Sequence, residues 1–196
     1  MPHADLAIYA VHILVWTSFG ITRSVARKAP TGTASPEAAP EKAAPRSRLL
    51  VTFHSVAFAV MYFGIANAVI PDRVPEWFAG QRIAGTLVMA VGAVMMCWAL
   101  AWFKSWRFRA ALTADHQLAT GGPFRFVRHP IYLGLDLLAL GSAFWVPTPT
   151  LWISVILMVV GSELRGRAEE KLLIERFGAE YTDYLARTKR FLPGIY

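Results

Sequence analysis

The chain has 196 residues, 55% of them apolar and 13% aromatic, with only 17% charged and a formal charge of +7. A soluble domain of this size carries more charge, and here the apolar residues fall in blocks separated by Lys/Arg-rich stretches, so one multi-pass membrane domain, 1–196, is expected. The basic residues fill the gaps between apolar runs and do not decorate a polar scaffold, which argues against nucleic acid as a partner; one cysteine, Cys97, leaves no disulfide framework or zinc site.

The first apolar run, about 6–21, has no basic leader or small-residue cleavage site before it and is expected to stay as a span. Residues 28–48, KAPTGTASPEAAPEKAAPRSR, hold too few large apolar side chains to fold alone and read as a mobile loop. The runs 49–70 and 83–103 are each long enough for a hydrocarbon core of ~30 Å at ~1.5 Å per residue. Pro71 and Pro75 close the first of these, and Gly85 and Gly92 in the second allow close helix contact. Two shorter runs, 131–146 and 151–163, flank VPTPT and read as an antiparallel helical hairpin whose arms gain length in the interface. The charged segment 163–196 is expected to be amphipathic and helical to about Phe177, with Gly178 as C-cap. The fold class is therefore all-α: a polytopic membrane protein with about five transmembrane helices and a C-terminal cytoplasmic amphipathic segment.

Orientation follows from counting Lys and Arg. Loop 22–48 holds six, 104–130 five and 164–196 seven, making 18 of the 20. Five spans with the N-terminus out and the C-terminus in put all three blocks on the cytoplasmic side. The single-domain composition points to a bacterial inner membrane.

Three polar groups meet on that face: 106–116, the opening RHPIY at 128–132, and SELRGRAEEKLLIERFGAEY at 162–181. Each has an ordinary reading as well. Basic residues beside a membrane helix meet anionic headgroups, and Glu163 with Arg167, or Arg165 with Glu169, have the spacing of surface ion pairs. Two carboxylates stand out. Glu170 lies beside an apolar stripe with only Arg167 near it on the helix. Asp136 sits about one and a half turns inside the fourth run, where a carboxylate is costly and marks function, or else reaches back to Arg128 or water. GxGxxG, P-loop, HExxH and GxSxG motifs are absent, and the five histidines are scattered, so no metal is expected.

The ordered series His116-Gln-Leu, GPFRFVRHPIY, EEKLLIERFGAEYTDY and RFLP resembles the isoprenylcysteine carboxyl methyltransferase family of membrane enzymes, with phospholipid N-methyltransferases and bacterial thiol methyltransferases as more distant likenesses. The resemblance covers about residues 106–196. It implies S-adenosylmethionine-dependent methyl transfer to a lipophilic or lipidated acceptor, most simply a carboxylate, with the cofactor enclosed by 106–134 and 163–196. On the matched positions, His129 and Tyr132 line the cofactor and Arg128 orients the segment. His116, Gly122 and Pro123 shape the loop over it, and Glu169 and Tyr181 help close it. Arg165 and Glu170 fall on the substrate side, with Arg190 a further catalytic candidate, and Asp136 is a substrate-binding candidate. The aromatic after Gly-Pro is Phe124, where the family has tyrosine. Two other classes fit the same architecture: a membrane reductase of the sterol reductase type, which requires a nicotinamide cofactor, and a non-catalytic scaffold.

Overall fold

The computed structural model of the protein describes residues 4–28, 42–43, 47–103, 111–112 and 118–196. All five apolar runs form helices: α1 Ala7–Lys28, α2 Ser47–Val69, α3 Gln81–Trp102, α4 Pro130–Trp145 and α5 Pro149–Phe177, followed by α6 Ala179–Arg187. α5 is one continuous helix of 29 residues, some 43 Å at ~1.5 Å per residue, so its apolar and charged halves share one axis. It stops at Gly178, whose φ of 53° is open to glycine at little cost. Pro130 and Pro149 open α4 and α5, where their missing N–H is not needed.

Among the described residues, α2 and α3 are long and apolar enough to cross a membrane, and α4 is a shorter apolar helix. Large apolar side chains face outward on four helices. Ile13 and Leu14 on α1, Phe63 on α2, Ile83 and Val94 on α3, and Ile156 on α5 are each more than 60% exposed. A surface this apolar has no counterpart in a monomer surrounded by water. The loop expected over 28–48 is shortened at both ends by α1 and α2, and it is not wholly free. Lys42–Ala43 (β1) pairs antiparallel with Ala111–Leu112 (β2), where backbone groups of the two connections satisfy each other.

α4 is the central helix, packed between α3 and α5, with α2 against α5 and α1 against α3. α3 and α4 run antiparallel with backbones in contact: a Cβ on Gly85 would lie 2.6 Å from the Gly141 carbonyl oxygen, and one on Gly92 would lie 2.7 Å from that of Gly134. Gly85→Ala is expected to force the helices apart and cost about 1–3 kcal/mol, as overpacking does, read as a lower apparent Tm in detergent. Because the contact is backbone on backbone, no rotamer change relieves it.

Polar groups also pin the bundle. His12 on α1 meets the Tyr62 hydroxyl (3.1 Å) and Ser142 Oγ (3.0 Å), joining α1, α2 and α4. At the end that carries VPTPT, Arg82 pairs with Asp5 at 2.6 Å, and Gln81 bonds the backbone of Trp77, Pro75 and Trp145. The opposite end gathers the C-terminus of α3, the N-termini of α2 and α4, and the charged half of α5. It is the end flanked by the three basic blocks.

Candidate active site

At that end the chain between α3 and α4 is held from three sides. Gly121 and Gly122 lie on the Trp102 indole, where a Cβ on Gly121 would be 2.5 Å from the ring. Pro123 is buried in the turn Gly122–Arg125, and the Tyr184 hydroxyl on α6 donates to the Phe124 carbonyl at 2.5 Å. The next residues pair with the segment after α6: Val127 bridges Lys189, the Arg128 N–H donates to the Lys189 carbonyl (2.8 Å), and the His129 N–H donates to that of Arg190 (3.2 Å). This two-stranded clasp brings Arg128, His129 and Arg190 together, although about 60 residues of chain separate them.

The charged half of α5 closes the cluster. Glu170 accepts from Arg128 Nε (2.8 Å), Arg190 Nε (2.9 Å) and Arg190 Nη2 (2.6 Å), and His129 Nε2 lies 3.2 Å away. The other imidazole nitrogen, Nδ1, faces Glu169 at 3.6 Å, and Glu169 also accepts from the Tyr132 hydroxyl. Gly166 makes this possible, since its Cα side lies against the His129 ring, 3.3 Å from a would-be Cβ. The His129 and Tyr132 rings stack at 5.6 Å, and the Arg165 guanidinium lies over the Tyr132 ring at 4.8 Å. Arg128 Nη1 also donates to the Thr188 carbonyl.

With a carboxylate at each ring nitrogen, His129 is built to be an imidazolium. Burial alone pushes its pKa down, but the hydrogen bonds and charges of Glu169 and Glu170 outweigh that and hold it above the ordinary value. Burial likewise works to raise both glutamates. For Glu170 the hydrogen bonds from His129, Arg190 and Arg128 prevail, and the carboxyl stays far below its usual range. For Glu169, His129, the charge of Arg165 and the Tyr132 hydroxyl have the same effect.

Nine of the expected site residues, Gly122, Pro123, Arg128, His129, Tyr132, Arg165, Glu169, Glu170 and Arg190, fall in this one region. His116 lies outside the described residues. Tyr181 is 1% exposed and packs beside Tyr184, so it supports the clasp from behind. Three expectations about partners are corrected. Glu170 is paired with Arg128 and Arg190 instead of Arg167, which bonds Glu163. Arg165 is buried over an aromatic ring instead of forming part of a surface pair. Asp136 does not reach back to Arg128; it accepts from Ser162 Oγ at 2.7 Å. Sequence reasoning missed Tyr184, although it ends the motif EYTDY, and also Glu163, Ser162 and His54. Among the described residues no group of three His, Cys, Asp or Glu side chains is arranged to hold a metal ion.

Residues 80–180 match the phospholipid methyltransferase family, slightly over half of the chain. The chain is 39% identical over 83 residues to the protein-S-isoprenylcysteine O-methyltransferase of Saccharomyces cerevisiae, covering 42% of this chain and 35% of that protein. It is 32% identical over 95 residues to the methanethiol S-methyltransferase of Pseudomonas deceptionensis, covering 44% of this chain and 32% of that protein. A probable protein-S-isoprenylcysteine O-methyltransferase of Oryza sativa aligns at 27% identity over 148 residues, covering 72% of this chain and 75% of that protein. The matches to the yeast and Pseudomonas enzymes thus span about a third of each relative. The chain belongs to the phospholipid methyltransferase family and is, within it, similar to the isoprenylcysteine O-methyltransferases.

Proposed function

We propose that the protein transfers a methyl group from S-adenosylmethionine to the carboxylate of a lipophilic, isoprenylcysteine-like acceptor. The reaction would take place at the cytoplasmic end of a five-span membrane domain with its N-terminus outside. The observation that carries this reading is the clasp between 127–129 and 189–190, closed by Glu169 and Glu170. Residues 127–129, 169 and 170 lie within 80–180, the stretch that matches the phospholipid methyltransferase family, and they join one buried, charge-rich layer at the basic end of an apolar bundle.

The residues suit such a methyl donor. An ammonium or sulfonium would be met by the Glu169 carboxylate, 24% exposed and so open on one side, next to the Phe191 ring beside His129. The buried Oε2 of Glu163 has no hydrogen-bond partner among the described residues and can accept from a ligand. S-adenosylmethionine supplies an electrophilic methyl on a cationic sulfur. The chain supplies placement. His129, Tyr132 and Glu169 define the donor side, while Arg165, held on Tyr132, offers a cation to an anionic nucleophile. Glu170 acts through Arg128 and Arg190, fixing the clasp. Orientation in a site closed to water contributes several kcal/mol to such a transfer. The acceptor reaches the site sideways from the surrounding lipid, and the donor from the cytoplasm.

The test is calorimetric titration of the detergent-purified protein with S-adenosylhomocysteine. Micromolar binding is expected for the wild type, weakened at least about tenfold (~1.4 kcal/mol) in His129→Ala and Glu169→Ala. No binding to folded wild-type protein overturns the reading, and titration with a nicotinamide cofactor then tests a reductase in its place.

A further inference from the structure

One turn deeper than Tyr132 on α4 lies a second polar group, separate from the charged layer. Ser162 Oγ on α5 donates to Asp136 Oδ1 on α4 at 2.7 Å, and His54 Nε2 on α2 lies 3.4 Å from the same hydroxyl. Ser162 and His54 are 0% and 3% exposed, whereas Asp136 is half-buried. Gly161 admits the imidazole: a Cβ there would stand 2.9 Å from the His54 ring. The His54 ring also lies 6.0 Å from that of Tyr132, which connects the two layers.

A carboxylate, an imidazole and a hydroxyl meeting among apolar helices are costly to keep and mark function. In the charged layer above, two arginines and His129 engage Glu170, His129 and Tyr132 engage Glu169, and Glu163 is held by Arg190 and Arg167 through Oε1. Asp136, by contrast, has Ser162 as its hydrogen-bond partner and carries no ion pair among the described residues. An acid dissolved in hydrocarbon arrives neutral, because its charged form is far less soluble there. It becomes a nucleophile only after losing that proton.

We propose that Asp136 is the base that takes the proton from the neutral acid head of a lipid-borne acceptor, a carboxylic acid or a thiol, with Ser162 and His54 as positioning residues that hold its carboxylate in place. This rests on the methyltransferase reading above. The acceptor O–H or S–H bond breaks and its proton goes to Asp136 Oδ2. The freed oxygen or sulfur then forms the bond to the methyl carbon as the methyl–sulfonium bond breaks, that electron pair staying on the donor sulfur. Asp136 returns its proton to water. The charged and titratable groups facing this cluster are Arg165 and Glu169 from α5 and Tyr132 from α4. α3, packed along α4, brings Cys97 and, at its far end, Arg82.

The experiment measures methyl transfer to S-farnesyl-N-acetylcysteine and to farnesyl thiol, from about pH 5.5 to 9, for wild type, Asp136→Asn and Ser162→Ala. Calorimetry with S-adenosylhomocysteine is run on each. The expected result for Asp136→Asn is a loss of about 10²-fold in kcat/KM for farnesyl thiol near neutral pH, shrinking toward pH 9 as the thiol ionises unaided. A smaller loss is expected for S-farnesyl-N-acetylcysteine, whose carboxyl ionises well below this range, and S-adenosylhomocysteine affinity is unchanged. Ser162→Ala follows the same profile more weakly. An equal loss at every pH marks a merely structural role and overturns the proposal, as does unchanged activity. Wild type that binds S-adenosylhomocysteine but methylates neither probe overturns the acid-acceptor assignment alone. Wild type that binds no S-adenosylhomocysteine overturns the methyltransferase reading with it.

Discussion

Glu170→Ala is expected to destabilise the protein more than any other single change at the site. The carboxylate and its two arginines are all largely buried, with side chains 8% (Glu170), 11% (Arg128) and 15% (Arg190) exposed. Removing the shared anion leaves two guanidinium groups and an imidazolium facing one another out of water. Breaking a buried pair from one side costs about 3–5 kcal/mol, which for a chain of this size lowers the apparent Tm by roughly 6–20 °C. S-adenosylhomocysteine affinity should fall with it, because His129 loses the partner of Nε2 and the clasp with 189–190 loosens. A Glu163→Ala control is expected to cost far less, since Glu163 binds Arg190 from a position 22% exposed. Adding Arg190→Met to Glu170→Gln should recover part of the loss, because the second change removes the charge that the first strands. An apparent Tm for Glu170→Ala within a degree or two of wild type counts against a carboxylate that holds the layer together.

The difference between what the sequence discloses and what it hides is a matter of range. Hydropathy and punctuation are local, and they place α2 and α3 to within two residues and the α5 end at Gly178. They also mark Glu170 as a carboxylate out of place. They name the wrong partner for it, because helical spacing offers Arg167 while the clasp delivers Arg128 and Arg190 from 42 and 20 residues away. Arg165 and Glu169 share the spacing of a surface pair, but Tyr132 from α4 covers Arg165 and changes its role. His54 is hidden for the same reason. It sits in an apolar run, 108 residues from Ser162, with nothing near it in sequence to suggest a polar partner. The ordered motif series finds most of the charged layer because its segments meet in the fold, and it misses the deeper layer because α2 lies outside the series.

The pH dependence of stability should show how His129 is charged. Its pKa is raised above the ordinary 6.5, so its contacts with the two glutamates stabilise fully below that value and are lost as pH rises through the raised one. Glu169 and Glu170 are depressed below 4.5, so their contribution is present above that value and lost as pH falls toward the depressed ones. The apparent Tm in detergent is therefore expected to be highest between about pH 4.5 and 6.5 and to decline on both sides. His129→Asn should flatten the alkaline limb and leave the acid limb, since Glu170 keeps both arginines. A variant whose alkaline limb is as steep as that of wild type rules out a charged His129. The result also bears on chemistry. An imidazolium held between two carboxylates is already protonated at the pH where the protein is most stable and cannot accept a proton from the acceptor. The base must then be a group other than His129, and half-buried Asp136, one turn deeper and without an ion pair among the described residues, is where the geometry offers it.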